Sequence, residues 1–164
     1  MDFSELLIPY CDSRTIQRFK EHQNDVPVTS LLRNPKWENM ESCPFFANLS
    51  KDEFDDLLFR FDKEKSRPGK SVEHFSGGFY LLDPSSALVS FYLKDFVPEN
   101  PFVMDLCAAP GGKSIAFSVR RPDSLIVAND IAYNRAIEIV KNTDRLGLSN
   151  ICTMSMDPMK IPSR

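Results

Sequence analysis

Between Phe102 and Met156 the sequence alternates short β-rich runs with helix-forming runs, and this succession limits the fold more than any other feature of the chain. "FVMDL" reads as a strand, "GGKSIAFSV" turns into a helix, and "SLIVAND" is a second strand. "IAYNRAIEIVKNTDRLG" is a long helix that stops at Gly147, and "NICTMSM" is a third strand. Strands separated by helices return to the sheet in parallel, so the order predicts the first βαβαβ half of a doubly wound, Rossmann-like α/β domain. A parallel sheet is covered on both faces and its edges are paired or protected. The sequence therefore reads as cut short inside a domain.

Residues 1–70 read as a small mixed α/β unit and residues 71–164 as the partial domain. In "DSRTIQRFKEHQ", Asp12 and Ser13 are polar starters, and Ile16 and Phe19 share one face of a short helix. "VPVTSLLRNP" is a β-rich run closed by Pro35. "LSKDEFDDLLFRF" has the pattern of a helix: Ser50 and Glu53 form a capping box, Leu49 staples onto Phe54, and Phe54, Leu57, Leu58 and Phe61 make an apolar stripe directed to the core. The punctuated stretch "KSRPGKSVEHFSGG" reads as a linker. After it, Phe79 to Leu82 form an extended entry, Asp83 an N-cap and Pro84 the first residue of a helix. Ala87 to Leu93 are apolar nearly all round, which predicts a buried helix set against a sheet.

The turn between the first strand and helix of the alternating region, "DLCAAPGGKS", raises the question of cofactor. A phosphate-binding loop needs G-x-x-x-x-G-K-[ST], and the first glycine of that pattern falls on Cys107. The dinucleotide pattern G-x-G-x-x-G is absent too. The general geometry of a βα turn remains: Gly111 and Gly112 let a ligand approach the backbone, and the helix directs its N-terminus at a negative group. A methionine carboxylate fits as well as a phosphate. The second strand ends in Asp130, 18 residues beyond Gly112, where an acid accepts hydrogen bonds from ribose hydroxyls. Asp157 follows the third strand, in position for an adenine amino group. The set describes an adenosine with an anionic, non-phosphate tail. The competing reading makes Asp105 and Asp130 caps of the following turns and Asp157 the start of a proline turn; Cys107 reads as a small buried loop residue in preference to a reactive thiol.

Composition excludes several classes. At 42% hydrophobic and 26% charged residues the 164-residue chain is of globular type, and its net charge of −3 lacks the basic excess of proteins that bind nucleic acid by overall charge. "KEKSRPGK", with Lys63, Lys65, Arg67 and Lys70 around Glu64, is the best basic patch and reads equally as a solvated loop. Cys11, Cys43, Cys107 and Cys152 lie too far apart for a zinc ribbon, so no metal is expected. No signal segment or apolar run long enough for a bilayer is visible, and reduced thiols in a cytoplasm are expected.

"DLCAAPGGKS" resembles motif I of the RNA (cytosine-5)-methyltransferases of the Sun/Fmu type. "GGFYLLDPSSALVSFYL" is similar to the family's upstream segment, and "ANDIAYNRAIEIVKNTDRLGLSNI" to the segment with the ribose-binding acid, here carrying Asp130, Arg135, Asn142, Arg145, Gly147 and Asn150. The resemblance covers residues 77 to 164. It implies a class I methyltransferase domain that uses S-adenosyl-L-methionine to methylate cytosine carbon 5 in ribosomal or transfer RNA. By the same resemblance Cys107, Ala108, Ala109, Pro110, Gly111, Gly112 and Lys113 line the methionine end of the cofactor, Asp130 holds the ribose, and Asp157 lies at the adenine. The family's N-terminal R-x-N-x-x-K occurs with shortened spacing as Arg33, Asn34 and Lys36, in a unit expected to associate with RNA.

The family's catalytic cysteines lie in D-A-P-C-S-G and a T-C-T-like motif, and neither occurs in these 164 residues. No residue is therefore assigned a catalytic role. The chain alone is expected to transfer no methyl group and to bind cofactor weakly or not at all. The alternative is a non-catalytic remnant, or a cofactor- or RNA-binding module completed by a C-terminal chain that supplies the remaining strands.

Overall fold

A computed structural model describes residues 5, 8–23, 28–37, 45–46, 49–62 and 66–161. Helix α1 (Ser13–His22) begins as expected, with the Asp12 carboxylate accepting from the Thr15 amide at 2.7 Å. A four-stranded antiparallel sheet follows, built from β1 (Thr29–Arg33), β2 (Ser50–Lys51), β3 (Leu58–Phe61) and β4 (Phe79–Leu82) in the order β2-β3-β1-β4. Strand β4 pairs with β1, Leu31 opposite Leu81, so this first sheet runs past residue 70. The segment between β3 and β4 holds a 3-10 turn at Pro68–Lys70 and the short helix α2 (Val72–Phe75). Leu31, Phe46, Phe59 and Phe79 form the core under this sheet, with the Phe45 ring stacked 5.4 Å from that of Phe79.

The helix expected over residues 49–61 is absent: the run forms β2, two turns and β3. The aspartates explain the difference. Asp52 accepts from the Phe54 amide and Asp55 from the Leu57 amide, both at 3.0 Å, giving the backbone a turn in place of a helical ladder. Asp52 also pairs with Arg60 at 2.7 Å across the turn. Phe54, expected in the core, is 76% exposed, while Leu58 and Phe59 are buried in the sheet.

The second half follows the sequence pattern closely. Helix α3 (Pro84–Leu93) starts at Asp83, which caps the Ser86 amide. Then come β5 (Phe102–Asp105), α4 (Gly112–Arg120), β6 (Leu125–Asn129), α5 (Tyr133–Leu146) and β7 (Ile151–Met154). The strands form a parallel sheet in the order β5-β6-β7, with Met104 opposite Val127 and Cys152 opposite Val127 on the other side. Helix α5 ends on Gly147, as expected. Helix α3 departs from expectation. Only Ala87 and Ser90 are buried, and Leu88, Tyr92 and Leu93 are about half exposed, because the helix rests on α4 by its narrow small-residue face.

Strand β4 links the two sheets. Its Tyr80 packs against Ile115 of α4 and Leu146 of α5. At the same end of α5, Asn34 Nδ2 donates to the carbonyls of Gly77 and Leu146 at 2.9 Å, and Lys36 Nζ reaches the Gly147 carbonyl. The residues of the shortened N-terminal motif thus satisfy carbonyls at the C-terminal end of α5, which a helix leaves without intrahelical partners. No helix among the described residues is long and apolar enough to cross a membrane.

Candidate cofactor-binding site

The loop after β5 turns back under its own hydrogen bonds. The Ala108 amide donates to the Asn129 carbonyl at 2.8 Å, tying the loop to the end of β6, and the Gly111 amide donates to the Ala108 carbonyl at 2.7 Å. The Ala109–Pro110 peptide is cis. Gly111 is the N-cap of α4 with φ +110°, and a Cβ there would lie 2.9 Å from Ile115 Cδ1. The conformation favours glycine at this position, and a side chain there would also have to displace the Ile115 tip. A Cβ on Gly112 would meet only Ser86 at an ordinary 3.7 Å, so the protein itself leaves that position open.

The parallel register brings the ends of β5, β6 and β7 to one edge. Asp105 accepts from Ser114 Oγ at 2.7 Å. Asp130, 2% exposed, accepts from the Ala132 amide at 3.1 Å and lies 3.4 Å from Arg135. Asp157 caps the 3-10 turn Pro158–Lys160 by accepting from the Met159 amide at 3.0 Å. Asp130 and Asp157 therefore make the local turn contacts that the competing reading expected, whereas Asp105 holds a serine side chain nine residues on. Asp130 differs in being buried at the strand end beside the loop. Cys107, expected to be a small buried residue, is exposed, because the chain bulges outward before the Ala108 amide returns to β6.

A cleft of about 140 Å³ runs along the loop, lined by Tyr80, Asp83, Ser86, Ala108, Pro110, Gly112 and Lys113 among others. The amides of the first turn of α4 have no intrahelical acceptors and lie at its end. A larger apolar cavity of about 400 Å³ lies on the other side of Lys113, between α3, α4 and β5. Among the described residues no cluster of histidine, cysteine and acidic side chains could hold a metal ion.

The contacts of two groups of residues escape a sequence reading. Asn129 is fully buried and spans all three strand ends: Nδ2 donates to the Leu106 and Met156 carbonyls at 3.0 Å, and Oδ1 accepts from the Met156 amide at 2.9 Å. The second group holds the loop from outside. Tyr80 Oη and Asn142 Nδ2 both donate to the Pro110 carbonyl, at 3.3 and 3.2 Å, and Arg135 donates to the Ala109 carbonyl at 3.1 Å. A polar residue closing an apolar strand is the only sequence signal for Asn129, and Tyr80 gives none.

Residues 95–164 match the 16S rRNA methyltransferase RsmB/F family. The match covers 70 of the 164 residues. Among curated relatives, ribosomal RNA small subunit methyltransferase F of Enterobacter sp. (strain 638) is 34% identical over 101 residues, which are 60% of this chain and 21% of the relative. The protein of the same name from Escherichia coli O139:H28 (strain E24377A / ETEC) is 34% identical over 100 residues, 58% of this chain and 20% of the relative. The chain thus spans about a fifth of the length of the curated relatives it matches. A methyltransferase homolog protein from Pyrococcus horikoshii shares the fold at TM-score 0.75 and 23% identity, over 91% of this chain and 50% of that one. NSun6 from Pyrococcus horikoshii, solved with SFG, matches at TM-score 0.50 and 26% identity, over 56% of this chain and 24% of that one. The matched segment begins just before β5 and contains the loop, Asp130 and Asp157.

Proposed function

We propose that this chain carries the S-adenosyl-L-methionine-binding half of an RNA cytosine-5 methyltransferase, with ribosomal RNA as the favoured substrate class. The observation that carries the reading is the juxtaposition of the Gly111 turn and buried Asp130 on one sheet edge, within the segment that matches the RsmB/F family. The donor set fits the cofactor. The free amides opening α4 suit a carboxylate, the bare backbone at Gly112 admits close approach, and Asp130 offers acceptors to ribose hydroxyls. Cys107 to Lys113 then line the methionine end and Asp157 lies toward the adenine.

The transfer itself needs a thiolate that adds to the cytosine ring. The sequence has no D-A-P-C-S-G run, so this chain by itself transfers no methyl group and acts with a C-terminal partner segment that supplies the thiol. The N-terminal unit, seated through Asn34 and Lys36 on α5, serves to present RNA to the edge.

Photocrosslinking of methyl-labelled S-adenosyl-L-methionine tests the reading. Labelling should be competed by S-adenosylhomocysteine and lost in Asp130→Ala, and a single-turnover assay with cytosine-containing RNA should give no methylated product. Labelling indifferent to competitor and to Asp130 contradicts the cofactor assignment, whereas methylated RNA contradicts the assigned need for a partner segment.

A further inference from the structure

A βα turn that receives an anionic tail must keep its own carbonyl oxygens from facing that charge, since each carries lone pairs and a partial negative charge. In this loop the carbonyls of Ala109 and Pro110 are both engaged, and by three donors from outside the loop. Arg135 takes Ala109, while Asn142 and Tyr80 share Pro110. Arg135 and Asn142 belong to α5, and Tyr80 belongs to the first sheet, 30 residues from Pro110 in sequence. Tyr80 lines the cleft beside Gly112 and Lys113, yet it is 5% exposed and its ring is fixed between Ile115 and Leu146.

We infer that Tyr80 is a positioning residue for the loop: its hydroxyl, with the Asn142 amide, occupies the Pro110 oxygen and leaves the N–H groups opening α4 as what an amino-acid carboxylate meets. The inference rests on the cofactor reading above. It assigns the antiparallel sheet a part in cofactor binding that its position outside the parallel sheet would not suggest. The hydroxyl acts on the tail of the ligand alone, because Pro110 lies at the opening of α4 while Asp130, assigned to the ribose, ends the next strand.

The test compares S-adenosyl-L-methionine with 5′-methylthioadenosine, which keeps the adenosine and lacks the amino-acid tail, by amide NMR titration of the full chain. Tyr80→Phe removes one hydroxyl and keeps the packed ring. The dissociation constant for S-adenosyl-L-methionine should rise about fivefold, or about 1 kcal/mol, with that for 5′-methylthioadenosine unchanged. Asn142→Ala, which leaves the core cluster intact, should show the same selective loss. Equal losses for both ligands, or none for either, overturn the positioning role and leave the cofactor reading standing. A wild-type chain that binds 5′-methylthioadenosine and S-adenosyl-L-methionine equally well also overturns it. Failure of the wild-type chain to bind S-adenosyl-L-methionine at millimolar concentration overturns the cofactor reading and the inference with it.

Discussion

Arg120, in the last turn of α4, donates through Nη2 to the carboxylate of Asp55 in the turn ahead of β3, and both side chains are buried. The other Nη donates to Ser90 Oγ at 3.0 Å and to the Ala116 carbonyl at 2.8 Å. One guanidinium therefore joins the first sheet, α3 and the helix whose opposite end follows the Gly111 loop.

Removing one partner of a buried pair leaves an uncompensated charge and typically costs 3–5 kcal/mol. Asp55→Ala should lower the urea unfolding free energy by about 3 kcal/mol, and the double variant Asp55→Leu with Arg120→Met should recover most of that loss. A loss below about 1 kcal/mol in the single variant would show that the pair is hydrated in solution.

Gly77 has φ +82°, and a Cβ there would lie 2.0 Å from the Arg145 carbonyl oxygen, backbone that cannot swing aside. Gly77→Ala should destabilise by about 3 kcal/mol or more, through strain and collision together. At Gly69 a Cβ meets only the Leu81 Cδ1 at 3.2 Å, so Gly69→Ala should cost about 1 kcal/mol or less. Equal thermal midpoints for the two variants would contradict this packing of α5 on the first sheet.

How much of this was legible depends on where each residue finds its partner. The βαβαβ order, the Gly147 stop, the Asp12 and Asp83 caps and the Gly111 turn rest on neighbours a few residues away, and the sequence shows them directly. The run from Leu49 to Phe61 misleads because Phe54, Leu57, Leu58 and Phe61 recur at helical spacing while Asp52 and Asp55 close turns on the Phe54 and Leu57 amides and pair with Arg60 and Arg120. Helix α3 is apolar all round, and its burial depends on which surfaces reach it, a tertiary fact. The loop itself was readable. The groups that hold its carbonyls were not, since Tyr80, Arg135 and Asn142 lie 26 to 32 residues from their acceptors.

His74 should make the chain acid-sensitive. Burial first, and the nearby Arg145 charge second, hold its pKa below the ordinary histidine value. A base with a depressed folded pKa binds fewer protons folded than unfolded, so the stability it contributes is lost as pH falls below about 6.5. Unfolding free energy should drop between pH 7.5 and pH 5.5, and His74→Phe should flatten that part of the profile. An unchanged slope in the variant would place the sensitivity elsewhere.

Asn129 satisfies two carbonyls and one amide at the ends of the outer strands. Asn129→Ala removes all three bonds from the strand ends and should cost about 2 kcal/mol. Hydrogen exchange should quicken first at the Met156 amide. Protection there equal to wild type would contradict the role given to the side chain.

The central claim is that the Gly111 loop takes an adenosine with an amino-acid tail in place of a triphosphate. Amide NMR titration of the full chain with S-adenosyl-L-methionine and, separately, with ATP and magnesium tests it most directly. Because the half-domain is expected to bind weakly, shifts at Gly111, Gly112 and Asp130 that approach saturation only at millimolar S-adenosyl-L-methionine, and none with ATP, are the expected result. Saturation at those amides by ATP, with S-adenosyl-L-methionine silent, would contradict it.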